Sequence, residues 1–258
     1  MANEPVRSWN PWILVVGAVV LAALVVAVLV LGDDDEDDPV ASTTSEATTT
    51  TEAPTTTTTT EATTTTTGGS GVTDQEAATV VWPDPFGTDR YDDPLDAVEA
   101  FAEDFVGFDD PSYGELREGD ARSGEVEVRA VADGPATTVL VRRMSDDAWY
   151  VIGSTTPNVE VDQPTPGNAV DAPVLVSGRA RAFEGTVQVT VHERGVAAPL
   201  GQGFVTGSGS GELGPFSGEI ERDSTEARWG VVLFVTHGGE DGRVWEAVAL
   251  PVGFIGAD

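Results

Sequence analysis

The chain has 258 residues, carries 44 acidic against 13 basic side chains, and has a formal net charge of −31. Such a charge repels phosphate backbones, so the composition argues against a nucleic-acid-binding protein and leaves a cationic partner electrostatically possible. The chain contains no cysteine, which excludes disulfides, thiolate metal sites and a cysteine nucleophile.

A continuous apolar segment follows the first eleven residues. Residues 12–32 read WILVVGAVVLAALVVAVLVLG, and about 20 apolar residues are what a helix needs to cross a bilayer. The segment is longer than a signal-peptide core and lacks its small-residue cleavage pattern, so we expect an uncleaved signal anchor. Arg7 precedes it and an acidic run at 33–38 follows it. This asymmetry predicts a single-pass protein of the cell membrane, with residues 1–11 in the cytoplasm and the C-terminal region outside it.

Residues 33–80 predict a disordered stalk. The acidic run is followed by threonine tracts up to residue 67 and by Gly-Gly-Ser-Gly at 68–71, and little of this segment can be buried in a core. Threonine-rich tracts with proline are typical of O-glycosylated stalks. An unmodified flexible tether is the alternative, and it would have a shorter mean span.

The segment 81–158 predicts a small α+β domain, with a helix on an antiparallel sheet. Asp93 and Pro94 are suited to the start of a helix, and an apolar stripe from Leu95 to Phe105 indicates that one helix face is buried. Gly107 is expected to end the helix. Alternating apolar residues predict three strands, at 125–131, 137–142 and 149–153.

Residues 159–258 predict an immunoglobulin-like β-sandwich of about seven short strands, with a barrel as the alternative. Residues 185–191 alternate cleanly, with valines inward and polar residues outward. Residues 230–236 are almost entirely apolar, as is expected of a central strand. Asp241-Gly242 reads as a hairpin turn between the last two strands.

Residues 173–187 read PVLVSGRARAFEGTV and resemble the signature of the bacterial spore-germination immunoglobulin-like domain family. That signature has spaced glycine and alanine residues, then FEG and a valine-rich strand. Later landmarks occur in the same order, namely Gly195, Gly214-Pro215-Phe216, Asp241-Gly242 and Pro251-Val252. The resemblance covers about residues 160–255. It implies an extracytoplasmic accessory module with no catalytic residues to carry over, and it does not imply spore formation.

Within this signature the residues have distinct expected roles. Gly178 and Gly185 allow close approach and turns where a side chain would clash. Phe183 is expected to insert into the sandwich core. Glu184, just before the turn, could accept backbone N–H bonds or contact a ligand.

Groups suited to catalysis are sparse. Neither His192 nor His237 has a second histidine at metal-ligand spacing, and His192 is expected on the solvated face of its strand. The glycine-rich segment 207–211 lacks the Gly-Lys-Ser/Thr ending of a phosphate loop. We therefore expect no catalytic residue, no metal site and no cofactor.

Three residues are candidate binding contacts, namely Glu184, Trp229 and Trp245. A tryptophan can serve as a platform on which a sugar ring stacks. The alternative is that these tryptophans are core or half-exposed rim residues.

The sequence therefore favours a non-enzymatic accessory protein of the bacterial cell envelope, which presents an immunoglobulin-like module on a stalk and binds an envelope protein or a cell-wall polymer. One alternative is a small-ligand binder or enzyme using a pocket within 81–158. Its candidate carboxylates are Asp92, Asp93, Asp109 and Asp110, which are also suited to capping and loop solvation. Another alternative is a structural spacer of an envelope complex.

Overall fold

The computed structural model describes residues 71–255, and their fold is mostly β, as predicted. The predicted N-terminus, the helix at 12–32 and the stalk up to residue 70 lie outside the described residues. Within 71–255, no helix has the length and apolar character needed to span a membrane.

The helices are α1 (Asp74–Ala77), α2 (Pro94–Ala100), a π-helix (Phe101–Val106) and a 3-10 turn (Phe183–Gly185). The strands are β1 (Ser112–Tyr113), β2 (Arg117–Asp120), β3 (Ser123–Arg129), β4 (Thr137–Arg143), β5 (Trp149–Thr155), β6 (Val159–Gln163), β7 (Ala169–Val170), β8 (Val174–Ala180), β9 (Thr186–Glu193), β10 (Pro199–Thr206), β11 (Gly214–Ile220), β12 (Trp229–His237) and β13 (Val244–Phe254).

The strands form two sheets. The large sheet has the order β1-β3-β4-β5-β13-β12-β9-β10, with β2 paired to β3 and β7 paired to β13. The small sheet has the order β11-β8-β6. It lies over the β13-β12-β9-β10 part of the large sheet, and this pair of sheets is the predicted sandwich.

The large sheet runs without interruption from the predicted α+β region into the sandwich. The connection is between β5 and β13, where Ser154 is in register with Ala249. The Ser154 hydroxyl accepts from Ala249 N at 2.9 Å and donates to the carbonyl oxygen of Ala247 at 3.0 Å. The two regions that the sequence separates at residue 158 therefore share one hydrogen-bonded sheet.

The first core lies between the helices and one face of the large sheet. Asp93 caps α2 by accepting from Leu95 N at 2.8 Å, and Gly107 ends the π-helix with φ +88°. Both helix limits confirm the prediction. The helix stripe is buried against the strands, chiefly through Phe101 and Phe105, whose rings stack 5.8 Å apart.

The second core lies between the two sheets. The inward valines of β9, Val187, Val189 and Val191, are fully buried there, as predicted. The ring centres of Phe216 on the small sheet and Phe234 on the large sheet are 6.0 Å apart. This contact fixes the two layers against each other.

Strand β12 belongs to both cores, which explains its apolar composition. Val231, Leu233 and Val235 face the first core, whereas Val232 and Phe234 face the second. A strand buried on both faces cannot alternate apolar and polar residues.

Residues 71–80 are folded. The prediction that the disordered stalk extends to residue 80 is therefore wrong for these ten residues. Thr73 and Glu76 form a capping box around α1, in which Thr73 Oγ1 accepts from Glu76 N at 3.2 Å. Val72, Ala77 and Val80 are buried in a small third cluster with other apolar side chains. The Thr-x-x-Glu spacing of a capping box is present in the sequence and marks this start.

His192 is buried, which contradicts its expected solvated position. Its ring centre lies 4.9 Å from that of Phe105, because the π-helix covers this face of β9. Nδ1 donates to the carbonyl oxygen of Val196 at 3.2 Å, so Nε2 accepts from Thr190 Oγ1 at 2.7 Å. Burial lowers the pKa of His192.

Candidate functional site at one end of the sandwich

A cleft of about 750 Å³ opens at the end of the sandwich where β12 turns into β13. Its walls come from segments far apart in sequence: Asn158 before β6, Arg181 and Phe183 after β8, and the turn at 237–243. Thr236 and Glu246 are opposite each other in the β12–β13 register and also line the cleft.

Glu246 is a carboxylate that is only 2% exposed. Its Oε1 accepts from Thr156 Oγ1 and from Asn158 Nδ2, the latter at 3.0 Å, and its Oε2 accepts from Asn158 Nδ2 at 3.0 Å. Burial raises the pKa of Glu246, and these hydrogen bonds and the charge of Arg181 oppose that rise. Among the described residues Glu246 makes no ion pair.

Arg181 reaches Glu246 through Asn158. Its Nη2 donates to Asn158 Oδ1, and its Nη1 donates to the carbonyl oxygen of Gly211 at 2.8 Å. The amide of Asn158 therefore links a guanidinium to a carboxylate. This arrangement fixes the orientation of all three side chains at the cleft.

Thr236 has a side-chain hydroxyl without a partner. The residue is 2% exposed, and its Oγ1 makes no hydrogen bond with the described residues. Leaving a buried hydroxyl unpaired costs about 1–3 kcal/mol, so native proteins rarely do it without a reason. Because Thr236 also lines the cleft, a ligand or a water molecule that reached this hydroxyl would supply the missing bond.

Two aromatic side chains complete the cleft. Trp245 is half-buried and packs against the first core, and a Cβ built at Gly238 would lie 3.4 Å from its Cε3. Phe183 is 58% exposed and lies directly over Gly239, where a Cβ would come within 2.6 Å of its ring. The expectation that Phe183 inserts into the sandwich core is therefore wrong, because the 3-10 turn directs its ring onto the β12–β13 turn.

The three candidate binding residues occupy three different places. Trp245 lines the cleft. Trp229 lies at the opposite end of the β12–β13 hairpin, in register with Gly253, with the Arg228 guanidinium 4.9 Å from its ring centre. Glu184 is exposed, has φ +54° and is outside the set of described residues that line the cleft.

The sequence analysis missed Glu246, Thr236 and Asn158. One local signal could have identified Glu246, since it is the single charged residue in β13, whose sequence is VWEAVALPVGF. A lone charge within an apolar strand indicates a buried and specifically bonded group. Thr236 and Asn158 carry no comparable local signal.

The interior of the 81–158 region is packed rather than hollow. Val98, Phe101, Val126 and Val139 are each 0% exposed and fill the space between helix and strands. Asp92, Asp93, Asp109 and Asp110 are all exposed, and Asp93 caps α2. This arrangement argues against a deep pocket between the helix and the sheet, on which the alternative of a ligand or catalytic site in this region depended.

Comparisons with known proteins agree with this architecture. Searches of curated proteins and of solved structures each gave no match. A family model matches residues 158–243, and its description is the immunoglobulin-like domain of bacterial spore germination. The matched range contains the small sheet, strands β9 to β12 and most of the cleft walls. Over residues 158–243, the chain therefore carries an immunoglobulin-like domain of the bacterial spore-germination family.

Proposed function

We propose that this chain is an accessory interaction protein of the bacterial cell envelope, anchored by the helix at 12–32, and that its cleft binds a component of the envelope. The observation that carries the proposal is the cleft itself. The buried carboxylate of Glu246, the unpaired hydroxyl of Thr236 and the half-buried Trp245 belong to residues that line this one cleft. Fixed polar groups beside aromatic surface are what a binding pocket requires.

The chemistry of the lining favours binding over catalysis. Glu246 is held by Thr156 and Asn158, and Asp241 on the rim is paired with Arg243 at 2.5 Å. General acid–base chemistry requires carboxyl groups free to exchange protons with a substrate. The carboxyl groups of Glu246 and Asp241 thus take part in holding the cleft in shape. The immunoglobulin-like family match also supports an accessory role.

Membrane attachment is tested by fractionating cells that express the tagged full-length protein. We expect the protein to stay with membranes after an alkaline carbonate wash and its C-terminal tag to be digested by protease added to intact cells. A variant lacking residues 12–32 should leave the membrane fraction. Recovery of the full-length protein in the soluble fraction would refute the anchoring part of the proposal.

Binding is tested by capture of envelope material on the immobilised full-length protein. We expect wild type to retain a component that Trp245→Ala does not. Trp229→Ala is the matched control, since Trp229 is also half-buried but lies at the other end of the hairpin. If wild type and Trp245→Ala retain the same material, the cleft is not the binding site. If wild type retains none, the binding proposal fails and the spacer alternative is left.

A further inference from the structure

Resting on the proposed function, we infer that the ligand of this cleft is a neutral, hydroxyl-rich sugar chain. One sugar ring stacks on Trp245, and its hydroxyl groups bond Glu246 and Thr236. Three properties of the cleft lead to this assignment: the charges of its walls, the hydrogen-bonding capacity of its polar groups, and its aromatic surface.

The charges of the walls disfavour an anionic ligand. Of the two arginines that line the cleft, Arg243 is paired with Asp241, and Arg181 is bonded to Asn158 and to Gly211. The chain as a whole carries a net charge of −31. An anionic polymer would therefore meet long-range repulsion and would find both arginines of the cleft wall already engaged.

A cationic group placed at Glu246 itself is disfavoured for a different reason. The guanidinium of Arg181 is bonded to the same Asn158 that bonds Glu246. A second cation at Glu246 would be placed close to this positive charge, and the two like charges would repel each other. The carboxylate is thus better suited to accept hydrogen bonds from neutral hydroxyl groups.

The polar groups have bonding capacity left for such hydroxyls. Oε2 of Glu246 accepts one hydrogen bond, from Asn158, and a carboxylate oxygen has room for a second. Oγ1 of Thr236 can donate one bond and accept others, and it makes none within the described residues. A sugar hydroxyl both donates and accepts, so it matches this pair of groups.

The aromatic side chains of the cleft supply apolar contacts for the sugar ring. Trp245, which is half-buried, and Phe183, which is exposed, both line the cleft. The apolar C–H face of a sugar ring packs well on such rings. The volume of about 750 Å³ lies within the usual range of small-ligand pockets, about 300–1000 Å³.

The test is titration of purified full-length protein, kept in solution by a mild detergent. The probes are three neutral hexasaccharides, built from β-linked N-acetylglucosamine, β-linked glucose and α-linked glucose, and binding is followed by saturation-transfer NMR and calorimetry. We expect at least one of them to bind with a Kd below about 1 mM. The inference is overturned if none of the three does.

Two substitutions separate recognition from folding. Thr236→Val removes the unpaired hydroxyl and keeps the shape of the side chain, so we expect about fivefold weaker binding with an unchanged or higher urea midpoint. Glu246→Gln should also weaken binding, whereas Glu184→Gln, which removes an exposed carboxylate outside the cleft, should not. Unchanged affinity in Thr236→Val would overturn the assignment of hydroxyl contacts.

The outcomes also separate this inference from the proposed function. Capture of an envelope protein through Trp245, together with no binding of the hexasaccharides, would leave the proposed function in place and overturn the sugar ligand. Binding of a hexasaccharide by a protein found outside the envelope would leave the sugar ligand in place and overturn the envelope role in the proposed function.

Discussion

Alanine in place of Phe234 tests whether the two cores of this molecule unfold together. Phe234 lies on the β12 face that points into the second core, whereas its neighbour Leu233 points into the first. Both belong to one strand of a sheet that continues into the 81–158 region. Damage to the second core alone should therefore destabilise the first core to the same extent.

The size of the effect follows from burial. Phe234 is 0% exposed and Leu233 is 3% exposed, and removing such side chains costs about 3–5 kcal/mol for phenylalanine and about 2–5 kcal/mol for leucine. With a urea dependence of about 2 kcal/mol per molar, Phe234→Ala should lower the unfolding midpoint by roughly 2 M. Phe204→Ala is the matched control, since Phe204 is 66% exposed and its loss should change stability by no more than about 0.5 kcal/mol.

Hydrogen exchange in increasing urea, read by mass spectrometry, reports on each core separately. The π-helix Phe101–Val106 reports on the first core, and β8 reports on the second. We expect both segments to lose protection at one midpoint in wild type, and that midpoint to fall equally for both in Phe234→Ala. If protection is lost early in β8 while the π-helix keeps its wild-type midpoint, the shared sheet does not couple the cores.

Three further predictions concern single sites. Asp93→Ala removes the 2.8 Å cap on Leu95 N and should cost about 1 kcal/mol, a fall of about 2–4 °C in Tm; an unchanged Tm in circular dichroism would contradict it. Gly178→Ala would place a Cβ 2.1 Å from the carbonyl oxygen of Glu160, so we expect a loss of about 3 kcal/mol in urea titration, and a stability within error of wild type would show that the small sheet can adjust. Because burial raises the pKa of Glu246 above its usual 4.5, the stability that its protonation contributes is fully present below pH 4.5 and is lost as the pH rises through the folded pKa. Glu246→Gln should therefore gain stability relative to wild type from pH 4 to pH 8 in urea titrations, and a constant difference across this range would refute the assignment.

The elements that depend on local signals could be predicted from the sequence. Asp93, Pro94 and Gly107 define the helix ends through capping and backbone chemistry, which act within a few residues. The alternation in β9 likewise identifies which valines enter the second core. Such patterns need no knowledge of what else packs nearby.

The continuity of the large sheet could not be predicted in this way. It depends on the pairing of β5 with β13, in which Ser154 meets a residue far along the chain, Ala249. Nothing in either strand specifies that partner. The burial of His192 has the same origin, since its strand alternates as a half-exposed strand would, yet the π-helix covers its second face through Phe105.

The candidate site was predicted only in part. Of the residues that line the cleft, the sequence analysis named Trp245 as a candidate, because a tryptophan ring can serve as a platform on which a sugar stacks. Glu246, Thr236 and Asn158 come from three separate segments and meet only in the folded chain. The importance of Thr236 lies in a missing hydrogen bond, and that property exists only in three dimensions.

The course of β5 determines how the cleft is presented. A Cβ at Gly71, where the described residues begin, would lie 3.3 Å from Asp146 Cβ, just before β5 starts. Thr156, which bonds Glu246 at the cleft, directly follows the end of that strand. Seven extended residues, about 20 Å of strand, separate the two points. A molecule that binds in the cleft would therefore contact the described residues at the end of β5 opposite to Gly71.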